Sequence, residues 1–160
     1  ELTADVVRAL RRFIERGIMV RGQVTLLKGV NDNVRAIKEV YEAFASIGVA
    51  PYYLYHCLPV VGAKHFRTRV QTGLDIIEQL APLTGALAPH YVYVTPAGKH
   101  RLGRGTELDY LDIGGKRYIR AVTPYLAADF LRYSNSEHLP PRHSVDEQGR
   151  IVSLYPDGED

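Results

Sequence analysis

The chain has 160 residues, 46% hydrophobic and 24% charged, the balance of a folded soluble domain and not of a disordered one. A net charge of +2 gives no field that favours nucleic acid or a membrane surface, and no apolar run approaches the ~18 residues of a spanning helix. The single cysteine, Cys57, excludes an internal disulfide and points to a reducing, cytoplasmic setting.

Residues 3 to 16 carry Val6, Val7, Leu10, Phe13 and Ile14 at helical spacing, with Thr3 as N-cap and Gly17 as a left-handed stop. Ile18 to Leu27 is rich in β-branched residues and short enough for a strand. The turn Lys28 to Asn33 leads into a second amphipathic helix, from Val34 through Ile47, that ends at Gly48. Ala50 to Cys57 (APYYLYHC) reads as a strand buried on both faces. After a loop through Pro59, Gly62 and His65, Thr68-Arg69-Val70-Gln71 has the spacing of a capping box before a helix through Leu80. Pro89 to Thr95 is the third strand, and the regular alternation predicts parallel strands joined by right-handed crossovers.

Beyond Pro96 the pattern changes. Leu108 to Ile113 and Lys116 to Val122 flank Gly114-Gly115, a two-residue hairpin signal. Thr123-Pro124 predicts a cap and first position for a helix through Leu131, and a last hairpin is expected to turn at Gln148-Gly149. The expected fold class is α/β: the later strands of a partial, TIM-like parallel βα barrel in residues 1–100, then a small antiparallel, hairpin-containing extension in 101–160. Three parallel strands do not close a barrel, which takes about 250 residues when complete. Earlier units are therefore expected before Glu1. Ligands in such folds sit at the carboxyl ends of strands, here 27–29, 57–59 and 95–98.

Those ends hold the distinctive residues. Gln23 to Asp32 (QVTLLKGVND), Pro51 to Cys57 (PYYLYHC), Gly62, His65-Phe66-Arg67-Thr68 (HFRT) and Gly73 to Leu80 occur in order and in register. This stretch, roughly residues 1 to 99, resembles the lysine 2,3-aminomutase family of radical S-adenosylmethionine enzymes. The resemblance implies a radical S-adenosylmethionine barrel and a [4Fe-4S] cluster held by a CxxxCxxC motif. It also implies pyridoxal phosphate holding a small amine or amino-acid substrate through an amino shift. One cysteine cannot hold such a cluster, which takes several thiolates, so its ligands are expected in a preceding N-terminal part. After Gly105 the resemblance fades, and the family's C-terminal cysteines have no counterpart.

By the same resemblance Gln23 stands where a glutamine helps hold S-adenosylmethionine, against the plainer reading of a strand amide satisfied by backbone. Lys99 stands where the family's pyridoxal phosphate lysine follows a proline and a glycine run, here shortened to Thr95-Pro96-Ala97-Gly98-Lys99. The alternative is a solvated basic loop of Lys99, His100, Arg101 and Arg104. Positive neighbours in that loop are expected to depress the Lys99 pKa. Leu58 and Val94-Thr95 replace two aspartates of the lysine-specific enzymes, which speaks against lysine as substrate. Arg67 can bind a carboxylate or phosphate, or simply stitch its loop to the next helix. Three readings follow: an aminomutase-like isomerase whose fragment is inactive alone, a radical enzyme of the same family without pyridoxal phosphate, and a non-catalytic binding module. Self-association is left open, and neither nucleic acid nor a membrane is an expected partner.

Overall fold

In a computed structural model, residues 2–84, 88–103 and 105–158 are described. Helix α1 (Ala4–Ile14) begins where the Thr3 hydroxyl accepts from Val6 N, and the chain turns at Gly17 with φ +75°. Strand β1 (Arg21–Leu26) follows, then α2 (Val34–Ser46), whose N-cap Asn33 accepts from Ala36 N at 2.9 Å. Strand β2 (Ala50–His56), α3 (Val70–Thr84) and β3 (His90–Thr95) complete the alternation. The first sheet has the order β1-β2-β3-β4, with β1, β2 and β3 parallel. Strand β4 (Gly98–Arg101) is antiparallel to β3, so Lys99 lies in a strand opposite Val94 and not in a loop.

The second sheet is antiparallel throughout, in the order β5-β6-β8-β7, from β5 (Leu108–Ile113), β6 (Lys116–Leu126), β7 (His143–Val145) and β8 (Arg150–Pro156). Gly114 and Gly115 turn the first hairpin with φ +60° and +75°, values that favour glycine at both places. The helix expected at Thr123 is not there. β6 runs on to Leu126, and α4 (Ala127–Ser134) starts three residues later than expected. The Thr123 hydroxyl is spent on the sheet: it donates to Ile151 O at 2.8 Å, so cross-strand pairing wins over local helix signals.

A single apolar cluster links the layers. Leu26, Leu54, Tyr91 and Tyr93 of the first sheet meet Ile37 and Tyr41 of α2 and Val70, Ile76 and Leu80 of α3. Ile119 and Tyr155 of the second sheet join the same cluster, so the sheets share one core. Strand β2 is not buried on both faces as expected. Leu54 and His56 are buried against the helices, while Tyr53 and Tyr55 stay partly open on the other side. The capping box is a second correction. The Thr68 hydroxyl is buried with no hydrogen-bond partner among the described residues, and Asp157, next after β8, accepts from Val70 N at 2.8 Å instead. No helix among the described residues is long and apolar enough to cross a membrane.

Candidate functional site

Parallel register puts the ends of β1, β2 and β3 at one edge, with Leu26 opposite His56 and Tyr55 opposite Val92. The turn from β3 to β4 lies at that same edge, so Lys28 and Lys99 do too. Burial alternates along the strands, and this sorts the side chains. Gly22, Val24 and Leu26 on β1, with Leu54 and His56 on β2, turn toward the helices. Arg21, Gln23, Thr25, Tyr53 and Tyr55 therefore share the opposite face. Across the sheet Gln23 pairs with Tyr53, Thr25 with Tyr55, and Val94 with Lys99.

Tyr55 is the hub of this face. Its hydroxyl donates to Gln23 Oε1 at 2.6 Å. The Lys99 ammonium sits 5.4 Å from the centre of the Tyr55 ring and 5.2 Å from that of Tyr53, within cation–π range of both. Tyr52 stacks on Tyr53 at 3.7 Å, and Arg21 lies 4.6 Å over the Tyr52 ring. The two residues singled out in the sequence, Gln23 and Lys99, are thus brought to the same tyrosine. Tyr53 and Tyr55 themselves were missed, although two tyrosines at i and i+2 in a strand necessarily share a face.

The charge state of Lys99 differs from expectation. Its pKa is raised, first by hydrogen bonding toward the Tyr55 hydroxyl, with Tyr55, Tyr53 and Tyr52 adding electrostatic pull against the effect of burial. Among the described residues the causes of that shift are tyrosines and not positive neighbours: His100 is on the buried side of β4, and Arg101, on the open side with Lys99, is not among them. The Lys99 backbone carbonyl accepts from the Tyr125 hydroxyl, which ties β4 to β6. Behind the sheet, His56 is sealed. Its Nδ1 lies 2.7 Å from Tyr91 Oη, its ring stacks on Tyr93 at 4.9 Å, and its Nε2 has no hydrogen-bond partner among the described residues.

At the carboxyl ends, Leu58 is 37% exposed, and the Thr95 hydroxyl accepts from Ala97 N at 3.2 Å. Neither supplies a carboxylate. The Cys57 thiol is buried, and burial pushes its pKa up, the reverse of what a metal-bound thiolate needs. Among the described residues no three His, Cys, Asp or Glu side chains gather as a metal-binding group.

No family model matches the chain. It is similar to a putative L-lysine 2,3-aminomutase of Aquifex aeolicus (strain VF5), 40% identical over 103 residues, 64% of this chain and 28% of that protein. Another putative L-lysine 2,3-aminomutase of that organism is 28% identical over 162 residues, 97% of this chain and 40% of its own, so the likeness runs past Gly105. The glutamate 2,3-aminomutase of Clostridioides difficile (strain 630) is 32% identical over 99 residues, 61% of this chain and 24% of that protein. The chain thus spans about a quarter to two fifths of the length of these relatives. Over this shared sequence, the chain is similar to proteins of the lysine 2,3-aminomutase family.

Proposed function

We propose that this chain is the later part of a radical S-adenosylmethionine isomerase that moves an amino group on a small amino acid. The observation that carries the reading is the meeting of Gln23 and Lys99 at Tyr55, on one face of a parallel sheet. The open side of β1 supports a barrel with further strands. A groove of about 1010 Å³ runs beside it, lined by apolar residues that include Leu10, Val24, Val40 and Phe44.

Gln23 fits an amino-acid end of S-adenosylmethionine, because an amide both donates and accepts. Lys99 fits pyridoxal phosphate in place and access, being exposed at the carboxyl edge. When bound, S-adenosylmethionine supplies a carbon radical and pyridoxal phosphate holds the substrate amine. The chain's lone cysteine does not fit the cluster, so no step is assigned to it here. Tyr55 orients Gln23 through its hydroxyl and holds the proton on Lys99 Nζ. An amine bonds to a carbonyl carbon only after losing that proton, so the tyrosines, which raise the Lys99 pKa, work against that reaction in this arrangement. The amine lies within cation–π range of the Tyr53 and Tyr55 rings while staying exposed.

Leu58 and Thr95 stand where lysine-specific relatives carry aspartates, so the substrate proposed lacks a distal ammonium. Burying such a charge without a carboxylate costs several kcal/mol. The full-length enzyme is expected to turn over lysine at least about tenfold more slowly than its preferred amino acid, for a loss of even 1.4 kcal/mol. Equal rates in a substrate survey would refute this.

The raised pKa of Lys99 favours a second reading, the same radical chemistry without pyridoxal phosphate. Borohydride reduction of the full-length protein with pyridoxal phosphate, followed by peptide mapping, separates the two. A reduced adduct on Lys99 is expected. An adduct elsewhere, or none from a protein that still cleaves S-adenosylmethionine, overturns the first reading.

A further inference from the structure

At the carboxyl edge, away from the tyrosine face, a polar cavity of about 380 Å³ opens between the loop after β1, the start of α3 and the end of β8. At ~30 Å³ per water it has room for about a dozen waters. Among the described residues four cations line it, Lys28, Arg67, Arg69 and Arg117, against the two carboxylates of Asp32 and Asp157. The backbone builds it firmly: Lys28 N donates to Phe66 O at 2.8 Å, fastening the end of β1 to the segment before α3. Arg67 is buried, and its Nη1 donates to Gly158 O at 3.2 Å.

Two independent features point to an oxyanion. The first is Asp157, a carboxylate already seated on the first turn of the 15-residue α3, with Oδ1 on Val70 N and Oδ2 3.1 Å from Arg117 Nε. A helix start beside arginines favours negative charge, and the chain's own carboxylate shows that this one accepts it. The second is Thr68. It is 4% exposed and lines the cavity, yet its hydroxyl has no hydrogen-bond partner among the described residues. A buried unpaired hydroxyl is destabilising, and an acceptor placed in the cavity would satisfy it.

We infer that this cavity is a binding site for a phosphate-type oxyanion, free or as a monoester, held by Arg69, the Thr68 hydroxyl and the field of Lys28, Arg67 and Arg117. The site stands apart from Gln23 and Lys99, so it does not depend on the aminomutase reading. Neither does its test, which needs no turnover.

The test is calorimetric titration of the full-length protein with inorganic phosphate, ionic strength held constant with chloride, and a parallel arm with glycerol phosphate. Saturable binding is expected in at least one arm, and binding of the monoester alone would identify an esterified ligand. Thr68→Val keeps the shape but removes the donor, so affinity should fall about tenfold, the loss of one hydrogen bond to a charged group. Without phosphate the same variant should melt no lower than the parent, because it removes an orphaned hydroxyl. Arg69→Gln, at an exposed position, should weaken binding similarly and serves if Thr68→Val does not fold. Absence of binding in both arms, or equal affinity in parent and variants, overturns the site.

Discussion

Replacing Gly73 with alanine is expected to destabilise the fold by about 2 kcal/mol, although alanine is the better helix former. The gain in helix propensity is about 1 kcal/mol, and overpacking a close-packed core costs about 3 kcal/mol at the upper end of its usual range. Gly73 lies on the buried side of α3, and a Cβ there would stand 2.1 Å from Tyr91 Cζ and 2.4 Å from its hydroxyl. Tyr91 has no room to retreat, being 1% exposed and bonded to His56. Either α3 lifts off the sheet or the tyrosine ring is driven from its place. Urea unfolding of Gly73→Ala measures the loss. Tyr91→Leu in the same background should recover part of it, so that the double variant is less damaged than the two single losses together. Simple additivity would mean that the ring is not what glycine accommodates.

The second large effect is with pH. Burial, aided by the Arg67 charge, lowers the His56 pKa to about 3, against about 6.5 in an unfolded chain. Below pH 6.5 the unfolded chain therefore takes up a proton that the folded one refuses. Stability contributed by neutral His56 is whole above pH 6.5 and drains away as pH falls toward 3. At pH 4.5 the loss from this residue is about 2–3 kcal/mol, two pH units at ~1.4 kcal/mol each. Burial lowers His100 and His90 as well, so they add to the same slope. Urea midpoints from pH 7 to 4.5 should fall steeply in the parent and less steeply in His56→Gln. Identical slopes would show that His56 charges in the folded state.

The βα alternation was legible because its signals are local. Thr3 and Asn33 cap their helices, Gly17 and Gly48 stop them with positive φ, and Gly114-Gly115 turns its hairpin. Gln23 and Lys99 were also legible as candidates, each from a short motif. The relation between them was not, since it runs through Tyr55, 32 residues from Gln23, and through a β3–β4 pairing that no single segment announces. The same holds for Thr68 and Thr123. Both sit in good capping sequences, but long-range partners decide their surroundings: Asp157 takes over α3, and Ile151 takes the Thr123 hydroxyl. Local grammar predicts what a residue can do, and the fold selects which of those things it does.

The Asp157 cap also has a consequence in time. Val70 and Asp157 are 87 positions apart, so on a ribosome adding ~5–20 residues per second the wait between them is about 4–17 s. Throughout that interval α3 and the face of the parallel sheet beneath it exist without the acceptor that completes the first turn. Tyr155 and Ile119, which close the shared core, arrive in the same late window. β1, β2 and β3 therefore wait for seconds before β8 and the residues that complete their shared core are made.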